Sequence, residues 1–136
     1  MNITYNHIKT INRVQLEQLD SNVGWTAYTK DLGLLQQALQ QSLDVLSAWD
    51  GDRLVGLIRT VGEGLTILYI QDILVLNTYQ NKGIATQLLQ MILQKYEAVR
   101  QKVLLTEEAP DVRHFYEKNG FESCDKGSAV AFGRFQ

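Results

Sequence analysis

Leu65-Thr66-Ile67-Leu68-Tyr69-Ile70-Gln71-Asp72-Ile73-Leu74-Val75-Leu76 runs directly into Asn77-Thr78-Tyr79-Gln80-Asn81-Lys82-Gly83-Ile84-Ala85-Thr86. The first part is nearly continuous apolar and rich in β-branched side chains, the pattern of a strand covered on both faces in the middle of a sheet. The second part is a polar turn that opens a helix, because Ala85, Leu88, Leu89, Ile92 and Tyr96 recur at helical spacing while Gln87, Gln90, Gln94 and Lys95 are left for solvent. A helix that begins this way has unpaired backbone N–H groups and the positive end of its dipole at the turn, which together suit a phosphate-sized anion. Gly83 lets a ligand approach the main chain, Ala85 keeps the next turn thin, and Lys82 adds a point charge. The same residues also serve a bare helix start. Neither the Walker spacing Gly-x-x-x-x-Gly-Lys-Ser/Thr nor the dinucleotide fingerprint Gly-x-Gly-x-x-Gly occurs in the chain.

Working outward, Ile3 to Ile8 has the pattern of a short strand, and Val14, Leu16 and Leu19 that of a brief helix ending near Asp20-Ser21-Asn22. Asp31 caps a second helix with an apolar stripe of Leu34, Leu35, Ala38 and Leu39. Leu43 to Trp49 and Leu54 to Val61 form a hairpin around Asp50-Gly51-Asp52. After the long helix, Lys102 to Thr106 is a further strand. Pro110 leads a short helix that stops at Asn119-Gly120, and Phe121 to Cys124 with Ser128 to Phe135 are expected to close the sheet as a strand pair. The order is mixed α/β (α+β): a central, mostly antiparallel sheet flanked by helices. Strands cluster before the long helix instead of alternating with helices from the start, so a doubly wound sheet is excluded.

The chain has 136 residues, 45% hydrophobic and 21% charged, the composition of one domain, here residues 1–136. A formal net charge of −2 without long basic runs gives no general attraction to nucleic acid or to a membrane surface. Met1 to His7 lacks the features of a secretory signal, and no apolar run is long enough to span a bilayer, so the expected location is cytoplasmic. With one Cys and two His there is no zinc-ligand set, and no metal is expected. Cys124 reads as a small apolar side chain in a strand, with a nucleophile beside a His and an Asn or Asp as the alternative.

Two motifs carry the chemistry. Gln80-x-x-Gly83-x-Ala85, placed after Ile73-Leu74-Val75 and before Leu88-Leu89, resembles the coenzyme A pyrophosphate loop of the GNAT superfamily of N-acetyltransferases. Phe115-Tyr116-Glu117-Lys118-Asn119-Gly120-Phe121 resembles the Phe-Tyr-x-x-x-Gly-Phe segment near the end of the same superfamily. Leu54-Val55-Gly56 and the element order extend the likeness over most of the chain. Asn81 and Ala85 stand where relatives often have Arg or Gly, and Ala109-Pro110-Asp111 where many have a cofactor-contacting Asn.

The resemblance implies a sheet splayed between the strand ending at Leu76 and the strand near Val103, with the pantetheine of acetyl-CoA in the gap. Backbone groups of Leu74, Val75 and Leu76 would pair with it, and the amides of Gln80, Asn81, Lys82, Gly83, Ile84, Ala85 and Thr86 would hold the pyrophosphate. Tyr116 matches the tyrosine that protonates the departing thiolate. A phenol, with an ordinary pKa near 10, keeps that proton at pH 7.

The acceptor side is less defined. Asp72, a carboxylate amid Ile70, Ile73 and Leu74, requires a partner or a role. It stands as a catalytic base, an acceptor-binding anion or the ion-pair partner of Arg59, against a purely structural salt bridge, with Glu63 and Glu108 as weaker candidates. Trp25 and Tyr28 fall in a loop that in similar enzymes covers the acceptor pocket, and core packing is the alternative for them. The expected activity is transfer of the acetyl group of acetyl-CoA to a primary amine of a small molecule or peptide by direct attack in a ternary complex. A non-catalytic acyl-CoA-binding module is the competing class. A C-terminal edge strand would allow a homodimer.

Overall fold

The computed structural model describes residues 2–22 and 31–135, in two units, 1–105 and 106–136. The first unit runs β1 (Ile3–His7), α1 (Arg13–Asn22), α2 (Leu32–Gln40), β2 (Asp44–Asp50), β3 (Arg53–Val61), β4 (Ile67–Val75), α3 (Ile84–Lys95) and β5 (Gln101–Leu104). The second contains α4 (Pro110–Lys118). Single 3-10 turns occupy Asn77–Tyr79 and Cys124–Lys126.

The strands form one sheet in the order β1-β2-β3-β4-β5. β1 to β4 pair antiparallel, and β5 joins β4 in parallel after the α3 crossover. The β2–β3 hairpin turns through Gly51 at φ +61°, the left-handed conformation that the Asp-Gly pair predicts. The middle position, expected for β4, belongs to β3, in which every residue from Leu54 to Thr60 is buried. β4 lies next to the edge and alternates, with Leu68, Ile70, Asp72 and Leu74 buried and Tyr69, Gln71 and Ile73 half-buried. A near-continuous apolar run therefore marks a strand with both faces partly covered, and does not rank it among its neighbours.

Helix starts follow local chemistry. The Asn12 Oδ1 accepts from Val14 N at 2.8 Å ahead of α1, and Asp31 Oδ1 accepts from Leu34 N at 2.9 Å at the start of α2. Leu35 and Leu39 are the buried residues of α2, whereas Leu34, read as part of the stripe, is 61% exposed. α3 buries Ile84, Leu88, Leu89 and Ile92 and packs on β2, β3 and β4, while α1 packs on β3, β4 and α2.

One buried carboxylate fastens three elements. Asp44, at the start of β2, accepts from His7 Nδ1 of β1 at 2.8 Å, Lys95 Nζ at the end of α3 at 2.7 Å and Tyr96 Oη at 2.9 Å. Burial opposes ionisation, but the hydrogen bonds from Lys95, His7 and Tyr96 outweigh it and hold the carboxyl below its usual range.

Residues 106–135 depart from expectation. No strand forms among 121–135; Phe121 to Ser123 are irregular, and Val130, Phe132 and Phe135 are 69%, 92% and 84% exposed. Alternation of apolar residues marks strand propensity, but a strand exists only where a neighbour pairs with it. Cys124 is exposed in its 3-10 turn and is no apolar strand residue. The C-terminal edge strand expected to support a homodimer is therefore absent among the described residues, and the sheet edges are β1 and β5.

Two outcomes follow for stability. Leu88→Ala removes a fully buried side chain of α3 and is expected to cost about 2–5 kcal/mol. Its urea midpoint should fall at unchanged m-value, while Val14→Ala, on an exposed side chain, should stay within about 0.5 kcal/mol. For Asp44, a carboxyl held low in the folded state stabilises above its unfolded pKa, near 4, and that contribution is lost as pH falls through the folded value. Urea midpoints between pH 2 and 6 should accordingly drop more steeply for the wild type than for Asp44→Asn.

Candidate functional site

The sheet parts where the loop chemistry begins. β4 pairs with β5 only from Ile67 to Ile70, yet it continues to Val75 against β3. On the β3 side, Arg59 sits opposite Asp72 and Thr60 opposite Ile70, so Gln71 is the extra residue of a β-bulge. A bulge bends and over-twists its strand, and this one stands at the point where β5 pairing stops. Pairing between β4 and β5 ends at Ile70 opposite Leu104, where β5 itself ends, and β4 runs on to Val75 against β3 alone.

Beyond Val75 the turn is built from its own polar groups. Gln80 Nε2 donates to Val75 O at 3.0 Å and to Asn77 Oδ1 at 3.2 Å, closing the turn on the strand end. Asn81 at φ +61° and Gly83 at φ +83° flank Lys82 in left-handed backbone. Gly83 is the N-cap of α3 with no side-chain cap, and the first intrahelical bond of α3 from beyond its start is Gln87 N to Gly83 O at 3.0 Å. The N–H groups of Ile84, Ala85 and Thr86 therefore lack acceptors within the helix. A Cβ on Gly83 would meet nothing within 4 Å, so the glycine serves the turn and leaves open space beside these amides. Asn81, Lys82 and Gly83 are exposed, whereas Ile84 is buried and anchors the helix start.

A cleft of about 660 Å³ opens at the same end of the sheet, lined by Gln18, Ser21 and Asn22 of α1, Arg53 of β3 and Leu76. Asn77 brackets it, donating from N to Asn22 Oδ1 at 2.7 Å and from Nδ2 to Asn22 O at 3.2 Å. Tyr79 Oη donates to Asp50 Oδ2 at 2.6 Å, and the Arg53 guanidinium lies 5.5 Å from the Tyr79 ring centre. Nothing in the local sequence of Arg53 or Asn22 signals this wall, because α1, β3 and the β4 exit meet only in the fold.

Asp72 is ion-paired. Arg59 Nε donates to its Oδ2 at 2.8 Å, both side chains buried, so the ion pair is present, as both the Arg59-partner reading and a purely structural salt bridge require. The same pocket of charge contains a residue that sequence reading passed over. Asp20 of α1 is 1% exposed, its Oδ2 has no hydrogen-bond partner, and burial together with the nearby Asp72 pushes its carboxyl up to about 7 against the pull of Arg59. The signal was present: Asp20 stands four residues after Leu16 on the buried stripe of α1, where an apolar residue belongs.

In the second unit Tyr116 packs edge to face on Phe115 at 5.0 Å and on Phe121 at 5.7 Å. The motif closes on itself: Asn119 Nδ2 donates to Phe115 O at 2.7 Å, Phe121 N donates to Tyr116 O at 3.0 Å, and Gly120 takes φ +90°. Burial pushes the Tyr116 phenol up to about 12, so it keeps its proton at neutral pH. Glu108 pairs with Arg113, and Glu63 accepts from Thr66 and Ile67 in its turn; both carboxylates are tied to local structure. His114 is exposed. Trp25 and Tyr28 lie outside the described residues. Among the described residues no cluster of His, Cys, Asp and Glu could hold a metal ion, and no helix is long and apolar enough to cross a membrane.

Comparison with known proteins agrees with this fold. The family model of the Acetyltransferase (GNAT) domain matches residues 13–135. A GNAT-family acetyltransferase from Streptococcus pneumoniae is 33% identical, with a TM-score of 0.88 over 99% of this chain and 98% of that one. A ycf52-like N-acetyltransferase of Prochlorococcus marinus is 28% identical over 94% of this chain and 72% of its own length. AAC(6')-Iy, solved with the bisubstrate analogue CoA-S-monomethyl-acetylneamine, is 16% identical with a TM-score of 0.67, covering 100% of this chain and 99% of that one, a likeness of fold alone. A sheet that parts beyond Ile70, a glycine-started helix at its open end and a family match across both units lead to one conclusion: the chain is an acetyltransferase of the GNAT family.

Proposed function

We propose that the protein transfers the acetyl group of acetyl-CoA to a primary amine of a small molecule or peptide by direct attack in a ternary complex, with residues 1–136 acting as one cytoplasmic N-acetyltransferase domain. The observation that carries this reading is the course of β4. It leaves β5 after Ile70, bulges at Gln71 and passes through left-handed Asn81 and Gly83 into the uncapped start of α3.

The residues present fit coenzyme A. The amides from Gln80 to Thr86 face a start of helix without an acidic residue in its first turn, and a pyrophosphate there gains both hydrogen bonds and the helix dipole. Leu74, Val75 and Leu76 offer strand backbone to the pantetheine amides, and Lys82 adds charge at the rim. Acetyl-CoA, when bound, supplies an acyl group activated as a thioester. The chain contributes alignment of acceptor and donor and polarisation of the carbonyl by backbone N–H groups. A protonated phenol at Tyr116 is suited to give its proton to the thiolate. Asp72, held by Arg59, is the acceptor-side carboxylate.

Acetyl-CoA at about 100 times its Kd should add roughly 2.7 kcal/mol of stability, read as a rise in Tm. Gly83→Val, which puts a branched side chain beside the helix amides, should shrink that rise. With spermidine, lysine and tyramine as acceptors, Tyr116→Phe should lower kcat by about 100-fold or more while leaving the acetyl-CoA shift intact. A shift without turnover by the wild type would make the protein an acyl-CoA-binding module; no shift at millimolar acetyl-CoA would sink the reading altogether.

A further inference from the structure

The geometry points to Asp20 as the group that receives the proton of the acceptor amine: its buried Oδ2, beside the Asp72–Arg59 ion pair, is the base that converts an ammonium to an attacking amine. This assignment rests on the acetyl-transfer reading above and gives its acceptor side a named residue.

Three observations support it. First, Asp20 occupies the buried stripe of α1 with Leu16 and Leu19, at 1% exposure, and its Oδ2 has no hydrogen-bond partner. Buried polar atoms of folded chains are nearly all paired, so one that is not calls for a reason. Second, the charges among the described residues do not balance. α1 is packed on β3, β4 and α2; β3 contributes Arg59, β4 contributes Asp72, and α2 has no ionisable side chain from Leu32 to Gln40. One guanidinium, engaged with Asp72 at 2.8 Å, faces two carboxylates. Of these three described groups, Asp20 ionised leaves one negative charge in excess, the state that attracts a cation; Asp20 protonated leaves them neutral. Third, the cluster sits where the strand opens. Asp72 directly follows the bulge residue Gln71, on the part of β4 that β5 does not pair.

The step balances. The acceptor arrives as R–NH3+, its N–H bond breaks as an O–H bond forms on Asp20, and the nitrogen lone pair is freed. The amine then attacks the thioester carbonyl, the C–S bond breaks, and the second proton lost by nitrogen ends on the coenzyme A sulfur. Asp20 returns its proton to solvent. The carboxyl, pushed up to about 7 by burial and Asp72, matches the working range of a general base.

The test compares wild type, Asp20→Asn and Asp72→Asn, with acetyl-CoA as donor and spermidine, lysine and tyramine as acceptors, following thiol release from pH 5.5 to 9 as an experimental range of roughly three decades in proton activity. The wild type should show kcat/KM rising through a limb near pH 7. Asn mimics the protonated carboxyl in shape, so Asp20→Asn should keep its fold and its acetyl-CoA thermal shift, lose about 100-fold or more in kcat/KM, and lose the limb. Asp72→Asn removes the charge that raises Asp20 and frees Arg59 to pair with it, so its limb should move to lower pH. Turnover of Asp20→Asn within about threefold of wild type, with an unchanged profile, would overturn the assignment and leave Asp20 a buried structural acid. Should Asp20→Asn not fold, the Asp72→Asn profile decides: a limb moved down supports the role, and a limb unmoved overturns it. A wild type that binds acetyl-CoA but acetylates none of the amines would instead overturn the amine-transfer reading itself, and this inference with it.

Discussion

β4 answers to two neighbours that ask different things of it. β3 pairs with it antiparallel to Val75, while β5 holds it in parallel only from Ile67 to Ile70. Pairing with β5 stops at Ile70, and at that point the bulge at Gln71 adds one residue and extra twist to the strand that continues against β3. Everything at the candidate site depends on that change of partner. It leaves the C-terminal half of β4 held by β3 and by the helix that follows, and it delivers the chain into the turn where Gln80 closes on Val75 O. The left-handed residues Asn81 and Gly83 then orient the amides at the head of α3.

Two buried aspartates show how much the surroundings decide. Asp44 and Asp20 are 4% and 1% exposed, and in both burial opposes ionisation. Asp44 is met by donors from β1 and from the end of α3, which hold it ionised and make it a clamp between elements. Asp20 meets a guanidinium already engaged by Asp72, and its carboxyl shifts the opposite way. The same side chain is held ionised in one place and is pushed towards its protonated form in the other. The difference lies in how many donors the packing brings, and not in the depth of burial.

Local signals in the chain reported what local physics controls. Asp31 and Asn12 cap the helices they precede, Gly51 turns the hairpin, and Pro110 and Gly120 bound the helix that carries Tyr116. The stripe of α3 is a periodicity that survives packing. Where a reading depended on a partner, it failed or fell short. Phe121 to Phe135 have the pattern of strands, but none of these residues pairs in the sheet. Leu34 has the place of a core residue on its helix but faces outward, and β4 has the composition of a middle strand but lies beside the edge.

The amino-acid sequence by itself determined the mixed α/β order, the strand-to-helix turn with Gly83 at its head and the Phe115 to Phe121 segment, because each is written in residues close along the chain. Only the tertiary structure decided that β4 parts from β5 after Ile70, that Arg59 pairs with Asp72, and that Asp20 is buried beside them without a hydrogen bond to its Oδ2. Those are relations among β3, β4, β5 and α1, residues up to several tens of positions apart. Their charges and burial are properties of the packed arrangement: a carboxylate's proton affinity depends on which groups surround it and on how much water is excluded.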